Sequence, residues 1–384
     1  MTISRRAFVR TLGWGSTGIL SGAFVAARGR EALAWAGEGA MLARAVATEI
    51  QLDSNENPNG PGAAVLDAVR GAFGIACRYP HNWADLTDAL AALHGVKPEN
   101  ILLGAGSGEV LRMAVFAYTS PARPLVAGSP TFEEPGRHAE VAGTPVRAVP
   151  VDAELRLDLN GMAQQALGAG VVYLCNPNNP TATLHSGQAV TDFVARVAKA
   201  SPETVVLVDE AYHHYVEASS YASAIPLALE RPRLLVTRTF SKVYGLAGLR
   251  VGYAIARADT LEPMRRHKLP NSINALGAAA ALAALEQKDR VERERRLNRE
   301  AREFTRRALE ADGFKVIPSE ANFLMADVRR DPQDFRDACQ KLGVLVGRPF
   351  PPLKTHARIS IGTMDEMRQA VDVFRKVLGV SVTL

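Results

Sequence analysis

Short apolar runs alternate with helical segments between about residues 100 and 260. The runs are rich in Val and Leu without polar alternation, which is typical of strands covered on both faces of a sheet. At 188–199 the apolar residues recur at the spacing of one helix face. Repeated strand–helix units predict an α/β fold with a doubly wound, mainly parallel sheet and functional groups at the carboxyl ends of its strands. The predicted strands are Ile101–Leu103, Leu125–Ala127, Val171–Cys175, Val205–Val208, Leu234–Val236 and Gly252–Ala256.

The last third of the chain has a different pattern. Residues 286–311 are charged along most of their length, so we expect a long, mostly solvated connecting helix there. Further apolar runs predict a smaller α/β domain with strands at 314–317, 322–327, 344–346 and 358–361. The predicted organisation is an N-terminal arm with part of the small domain at 37–74, a large domain at 75–275, and the connecting helix with the small C-terminal domain at 276–384.

The first 36 residues have the character of an export signal. Arg5 and Arg6 stand in a basic head, an uncharged stretch runs from Thr11 to Ala27, and Ala-x-Ala cleavage sites end near residues 34–36. This order is that of a secretory signal peptide. The arginine pair resembles the twin-arginine signal of bacteria, so we expect export to the periplasm. The alternative, a membrane anchor, is disfavoured because the uncharged stretch is short and contains four glycines.

Most of the formal net charge of +5 lies in this leader. The leader holds five arginines against one glutamate, which leaves +1 for the rest of the chain. A nucleic-acid-binding domain usually carries a concentrated basic surface, so we expect no such partner. The composition, 47% hydrophobic and 22% charged, excludes a disordered chain. Cys77, Cys175 and Cys339 are far apart and lack metal-binding spacing, so neither a disulfide framework nor a metal site is predicted.

Candidate functional residues follow directly on several apolar runs. Gly104–Glu109 follows the first run and opens a helix, where backbone N–H groups can bind an anion such as a phosphate. A dinucleotide-binding fingerprint is not predicted, because it needs a third glycine where Glu109 stands. Asn176–Thr181 contains two prolines and three asparagines, which make a rigid loop that can present amide side chains.

Charged residues follow the next two runs. Asp209 comes directly after Val205–Val208, and a carboxylate at the end of a buried strand needs a cationic partner. The segment Thr239–Gly252 supplies two hydroxyl groups, Lys242 and Arg250 within an apolar, glycine-rich context. A lysine in such surroundings can have a lowered pKa and act as a nucleophilic amine.

These segments, taken in order, resemble the aspartate-aminotransferase superfamily of pyridoxal-phosphate (PLP) enzymes of fold type I. The resemblance runs from about Gln51 to the C-terminus and is closest to histidinol-phosphate aminotransferases. It implies a homodimeric PLP-dependent transaminase. Such an enzyme moves an amino group between an amino acid, or a histidinol-phosphate-like amine, and a 2-oxo acid by a ping-pong mechanism. The further motifs that carry it are Asn55–Gly60, Arg78–Pro80, Pro130–Phe132, Ala321–Phe323 and Arg358–Thr363.

The resemblance also implies catalytic roles for matching residues. Lys242 is the expected Schiff-base lysine, which also carries the substrate's Cα proton. Asp209 is expected to pair with the pyridinium nitrogen of the cofactor. Tyr212 and Asn179 are expected to hydrogen-bond the ring oxygen O3′, and Phe132 to stack on the ring.

Binding of the two anionic groups is implied in the same way. Arg358 is expected to clasp the anionic group of the substrate with its planar guanidinium, and Asn179 lies beside it in the substrate site. The residues expected around the cofactor phosphate are Ser107, Gly108, Thr239, Ser241, Arg250 and Tyr79 of the partner subunit.

Two other classes of function stay open at this point. A PLP-dependent decarboxylase, lyase, racemase or cyclase would use the same lysine, aspartate and phosphate site. A non-catalytic binding protein is disfavoured because the set of functional residues is complete. His213 and His214 either touch substrate or simply flank a helix.

Three positions depart from the family's pattern. Ala182 stands where a glycine usually follows the Asn-Pro-Thr loop, and Gly108 replaces a common aspartate beside the phosphate. Gly347-Arg348 stands where the histidinol-phosphate enzymes tend to have Arg directly after Val-Leu-Val. The departure at Gly347 and the export signal favour a donor with an α-carboxylate over histidinol phosphate.

Overall fold

A computed structural model describes residues 49–79 and 83–380 of the chain. The export signal predicted for residues 1–36 lies outside these ranges and stays a prediction. None of the helices within these ranges combines the length and the apolarity that a membrane span requires.

Twelve strands form three sheets in the described residues. The central sheet has seven strands in the order β2-β8-β7-β6-β5-β3-β4, and all its neighbouring pairs are parallel except the two made by β8. The predicted α/β class with a mainly parallel sheet is therefore confirmed. The strands are β1 (Ile50–Leu52), β2 (Ile101–Gly104), β3 (Leu125–Ser129), β4 (Val146–Pro150), β5 (Val171–Cys175), β6 (Val205–Asp209), β7 (Leu234–Thr239), β8 (Gly252–Ala256), β9 (Lys315–Ile317), β10 (Phe323–Asp327), β11 (Val344–Val346) and β12 (His356–Ser360).

Burial on both faces explains why most of these strands could be predicted. In β5, Val172 and Leu174 pack into the core on one face of the sheet, and Tyr173 packs into the core on the other. The sequence pattern does not predict β4, which lies at the sheet edge beside β3. There Val149 is buried while Val146 is 39% exposed, so the strand lacks a continuous apolar run.

Twelve α-helices lie in the described residues. The helix predicted at 188–199 is present, and its apolar stripe is buried against the sheet. The helices are α1 (Ala63–Ala72), α2 (Ala84–His94), α3 (Gly106–Tyr118), α4 (Glu134–Val141), α5 (Leu159–Gln165), α6 (Gly187–Ala200), α7 (Ile225–Glu230), α8 (Ala258–Arg265), α9 (Ala275–Glu286), α10 (Arg290–Ala311), α11 (Pro332–Gln340) and α12 (Met364–Leu378).

The charged connecting helix differs from the expectation. A break separates α9 from α10, and α10 buries three charged residues, Arg290, Glu294 and Arg302. Glu294 Oε2 accepts hydrogen bonds from Nδ2 of Asn57 at 3.1 Å and of Asn59 at 2.7 Å. Most of α10 is not buried, as predicted, but the burial of these three charges was not predicted. Polar partners make that burial tolerable: Asn57 and Asn59 for Glu294, and the Ala321 carbonyl for Arg302.

The last third of the chain forms two further sheets. Strands β9, β10 and β12 make an antiparallel sheet in the order β12-β10-β9, and β1 pairs with β11 in parallel. The start of the described chain is thus hydrogen-bonded to its last third. The domain boundaries that the sequence predicts, near residues 74 and 275, stay a prediction.

Several strand ends of the central sheet share one edge. Because β8 runs antiparallel, its first residue Gly252 pairs with Gly104 at the end of β2 and with Thr239 at the end of β7. Asp209 ends β6 and pairs with Cys175 at the end of β5. The predicted functional residues follow these strand ends, so the topology brings them to the same edge.

Candidate active site

A cavity of about 570 Å³ lies at this edge of the central sheet. Its wall combines the strand ends with residues that follow β1 and with residues of the last third of the chain. The predicted residues that line it are Ser107, Gly108, Phe132, Asn179, Asp209, Tyr212, Thr239, Ser241, Lys242, Arg250 and Arg358. Their individual roles stay predictions.

Asp209 is a buried carboxylate held on both oxygens. The Tyr173 hydroxyl donates to its Oδ2 at 2.8 Å, and the Thr237 hydroxyl donates to its Oδ1 at 2.9 Å. Burial raises the pKa of the Asp209 carboxyl to about 6, although these two donors act in the opposite direction. A buried carboxylate of this kind is stabilised by a cation placed beside it, such as the pyridinium nitrogen of the expected cofactor.

Lys242 follows β7 and reaches into the cavity. Its Nζ donates to the Ser54 carbonyl at 3.3 Å and lies 5.7 Å from the centre of the Tyr212 ring. Burial, and next the nearby Arg358 guanidinium, lower the pKa of the Lys242 ammonium to about 8. With this pKa about a tenth of the amine is unprotonated at pH 7, far more than for an ordinary lysine, and the unprotonated form is the one that acts as nucleophile and proton carrier.

One end of the cavity can bind an anion. Helix α3 begins at Gly106, and a Cβ at that position would clash with the Arg250 guanidinium, so the cation lies directly against the helix amino terminus. The Ser241 hydroxyl accepts a hydrogen bond from the Thr239 hydroxyl at 3.0 Å and from Arg250 Nη1 at 3.4 Å. We call Gly106, Ser107, Thr239, Ser241 and Arg250 the anion-binding end. N–H groups, hydroxyls and a guanidinium are the donors that a phosphate monoester prefers.

Another part of the cavity wall is built around Arg358 on β12. Its Nη1 donates to Asn179 Oδ1 at 2.8 Å, and its Nη2 donates to the Asp53 carbonyl. The guanidinium lies 4.7 Å from the centre of the Phe350 ring. Burial lowers the pKa of this guanidinium to about 10, and in the described part of the chain its buried Nε has no acceptor. We call Asp53, Asn179, Phe350 and Arg358 the Arg358 end; it can take an anionic group of a substrate.

Tyr79 and the two histidines are placed elsewhere. Tyr79 is 78% exposed and does not line the cavity of its own chain. His213 and His214 are also not among the residues that line the cavity. His213 Nδ1 lies 3.0 Å from the Tyr221 hydroxyl, and the His214 ring packs against Tyr244.

The three departures from the family's pattern have structural consequences. Ala182 is fully buried with a φ of 62°, the left-handed conformation that favours the glycine it replaces. A Cβ at Gly108 would meet the Glu134 carboxylate at 2.6 Å, so that carboxylate fills the space beside this glycine. A Cβ at Gly347 would come within 2.8 Å of the Arg358 carbonyl, so this glycine permits close packing against Arg358.

Sequence reasoning missed several residues of the cavity and its support. Asn55 and Phe350 line it, while Tyr173 and Thr237 hold Asp209 from behind. For Tyr173 the available signal was a polar atom inside the apolar run Val171–Cys175, and for Asn55 it was the place of this residue in the motif Asn55–Gly60. Contacts between Arg358 and the segment after β1 join residues about 300 positions apart and leave no local pattern.

A buried lysine with a lowered pKa, a buried carboxylate and an anion-binding end in one cavity are the features of a PLP-dependent enzyme. The chain belongs to the family of class I and II aminotransferases, which it matches over residues 47–374. The predicted transaminase activity and its PLP dependence are confirmed at this level, and a different PLP reaction is not favoured.

Individual relatives agree with this assignment. Histidinol-phosphate aminotransferases from Moorella thermoacetica and Symbiobacterium thermophilum are each 37% identical, over 86% of this chain and over 85% and 91% of their own length. The crystal structure of histidinol-phosphate aminotransferase from Sinorhizobium meliloti in complex with pyridoxal-5′-phosphate has a TM-score of 0.81 and 28% identity. That match covers 86% of this chain and 91% of the other.

Proposed function

We propose that this aminotransferase takes an amino donor that carries an α-carboxylate and passes the amino group to a 2-oxo acid by a ping-pong mechanism. The observation that carries the proposal is Arg358, a buried guanidinium that faces the same cavity as Lys242 and has no carboxylate partner among the described residues. The planar guanidinium matches a carboxylate or a phosphate ester geometrically, so Arg358 supports an anionic donor of either kind. The departure at Gly347 and the predicted export signal favour the carboxylate. Aromatic contact with Phe350 holds the guanidinium in place while leaving donors available.

The residues present fit pyridoxal phosphate. The anion-binding end would hold its phosphate, Asp209 would hold the proton on its pyridinium nitrogen, and Lys242 would attach it covalently. When bound, the cofactor supplies an electron sink for the electrons left at the substrate Cα. Lys242, with its lowered pKa, removes the Cα proton and returns it, while Arg358 fixes the substrate in the orientation that this transfer needs.

A histidinol-phosphate-like amine is the second candidate donor. Sequence identity of 37% to histidinol-phosphate aminotransferases over most of the chain favours it. In that case Arg358 would bind a phosphate ester, because histidinol phosphate lacks an α-carboxylate. Both donors place an anion at the Arg358 end, so they differ in which anion it binds.

The deciding experiment compares kcat/KM for a panel of free amino acids with that for histidinol phosphate, with 2-oxoglutarate as acceptor. A preference for an amino acid supports the proposal, and a strong preference for histidinol phosphate overturns the choice of donor. Consumption of the acceptor must equal consumption of the donor; donor loss without acceptor loss indicates a decarboxylase, lyase, racemase or cyclase.

The proposal includes a homodimer with shared active sites. Tyr79 is 78% exposed, and Phe73 and Ile75 nearby in the sequence are 60% and 53% exposed, so this segment offers apolar surface to a second copy. Sedimentation analysis should then find a dimer, and Tyr79→Phe should weaken PLP binding. A fully active monomer would contradict this part of the proposal.

Export is the remaining part of the proposal. The Arg5–Arg6 pair and the uncharged stretch behind it support transport to the periplasm through the twin-arginine route. Cell fractionation should recover the protein from the periplasm, and replacing both arginines by lysine should retain it in the cytoplasm. Equal periplasmic recovery of the two forms would contradict the twin-arginine route.

A further inference from the structure

Asn55, in the loop after β1, is held in one orientation by Ser360. Its backbone N–H donates to Ser360 Oγ at 2.8 Å, and the Ser360 hydroxyl donates to Asn55 Oδ1 at 2.8 Å. The residue is 1% exposed and has a φ of 54°, a left-handed conformation that asparagine tolerates better than most residues. Because Oδ1 is engaged by a hydroxyl donor, the NH₂ group of the amide must point the other way.

The group that receives this NH₂ is Tyr212. Asn55 Nδ2 donates to the Tyr212 hydroxyl oxygen at 3.1 Å, and in the described part of the chain this is the one hydrogen bond that the Tyr212 hydroxyl makes. A phenol has a single proton to donate. Since Asn55 offers a donor and no acceptor, the Tyr212 proton cannot point toward it and is left for the cavity, which Tyr212 lines.

We propose that Asn55 is a positioning residue that directs the Tyr212 hydroxyl proton into the cavity, toward the ring oxygen of the bound cofactor. The inference rests on the proposed placement of pyridoxal phosphate in this cavity. It adds a distant segment to the site: Ser360 of β12 fixes Asn55, and Asn55 fixes the proton of Tyr212. The direction of the Tyr212 proton therefore depends on which atom is the donor in each of these hydrogen bonds, and contact between the side chains is not sufficient.

Asparagine is the residue type that this role requires. Aspartate has the same shape but only acceptor oxygens, so at position 55 it would draw the Tyr212 proton away from the cavity. Glycine would keep the left-handed backbone and remove the side chain, leaving the Tyr212 proton free to reach the cavity. The two substitutions therefore separate donor direction from simple loss of contact.

The test is a pH titration of the visible absorption of the holoenzyme, in wild type, Asn55→Asp, Tyr212→Phe and the double variant. A donor to the cofactor's ring oxygen stabilises the form in which that oxygen carries uncompensated negative charge, so its loss raises the titration midpoint. We expect Tyr212→Phe and Asn55→Asp each to raise the midpoint by about one pH unit, the size of one charge-assisted hydrogen bond. In the Tyr212→Phe background, Asn55→Asp should add less than about a third of a unit.

Three outcomes would overturn the proposal. The midpoint of Asn55→Asp could stay at the wild-type value. Its shift could be equally large without the Tyr212 hydroxyl, which would show a through-space effect of the new charge. Asn55→Gly could shift the midpoint as much as Asn55→Asp, which would show an effect of packing.

A second variant covers the case in which Asn55→Asp does not fold. Ser360→Ala frees the amide to rotate, so it should raise the midpoint by a smaller amount, and only while Tyr212 keeps its hydroxyl. No shift in Ser360→Ala would then overturn the proposal. Failure of the underlying function would look different, because wild-type protein would show no cofactor band to titrate.

Discussion

At the anion-binding end of the cavity, Gly106, Ser241 and Arg250 all follow or precede strands of one sheet. At the Arg358 end, by contrast, the guanidinium contacts Asp53 and Asn179, which come from distant parts of the chain. The first end is held in place by neighbouring strands, whereas the second depends on how β1 and β12 are placed beside the central sheet. We infer that the first end serves the cofactor, which is common to all turnovers, and the second serves the substrate.

The largest expected effect falls where the two ends meet. Lys242→Ala removes the amine that attaches the cofactor and moves the Cα proton, so kcat/KM should fall by at least about 10⁴-fold. Borohydride should fix the cofactor onto Lys242 in the wild type, as peptide mass mapping can show. Lys268→Ala is the matched control, because burial also lowers the pKa of Lys268 but that side chain lies outside the cavity. A reducible adduct that persists in Lys242→Ala would refute the assignment.

The Arg358 end can be weakened separately. Arg358→Lys keeps the positive charge but removes the planar pair of N–H donors. The KM for the amino donor should therefore rise, and kcat/KM should fall by about 30-fold to 1000-fold. The visible cofactor band should stay nearly unchanged. Arg348→Lys is the control, because Arg348 also lines the cavity but is 43% exposed in an ion pair with Glu133. An exposed pair contributes little; if Arg348→Lys had the larger effect, the substrate anion would bind elsewhere.

The buried Asp209 carboxyl group should make the stability of the cofactor-free protein depend on pH. Asp209 has a folded-state pKa of about 6, above its ordinary value of 3.8. The folded cofactor-free protein therefore holds this proton more tightly than the unfolded chain, and the stabilisation is lost as pH rises through about 6. Relative to Asp209→Asn, the cofactor-free wild type should be less stable at pH 8 than at pH 5 by about 1–2 kcal/mol, measured by denaturant unfolding. A pH-independent difference would contradict burial of this charge.

The smallest expected effect is on stability and concerns the loop in which Asn179 accepts a hydrogen bond from Arg358. Ala182 holds a left-handed conformation there, which costs about 1–2 kcal/mol in a non-glycine residue. Ala182→Gly removes this strain. Glycine also gives the unfolded chain more conformational entropy, which costs about 0.4–1 kcal/mol of stability, so the free energy of unfolding should rise by about 0.5–1 kcal/mol in total. Chemical denaturation measures it. Lower stability of the glycine variant would mean that packing of the Ala182 methyl outweighs the strain.

The contrast between the two ends also explains what could be predicted from sequence. Asp209, Lys242 and Arg250 each follow or precede a buried strand within a few residues, so an apolar run next to a polar residue was enough to find them. The side of the sheet on which they meet followed from the parallel order of the strands. The fold class and most strand positions were likewise predicted from the apolar runs.

The rest required the three-dimensional structure. Asn55 and Tyr212 are joined by a hydrogen bond across 157 positions, and Tyr173 supports Asp209 from a neighbouring strand. Edge strand β4 and the buried charges of α10 were missed because their burial depends on partners distant in sequence. The local sequence pattern indicates which face of a helix or strand is apolar. It does not indicate which other element packs against that face.

The most direct test measures two constants in two variants, Arg250→Lys and Arg358→Lys. The dissociation constant of pyridoxal phosphate and the KM of the amino donor are measured for both. We predict that each variant changes one constant and not the other. Arg250→Lys should weaken cofactor binding by at least about 10-fold, with little change in KM at saturating cofactor. Arg358→Lys should raise KM, while cofactor binding stays within about 2-fold of wild type. If both variants weakened cofactor binding equally, or if Arg358→Lys left KM unchanged, the division of the cavity into a cofactor end and a substrate end would be wrong.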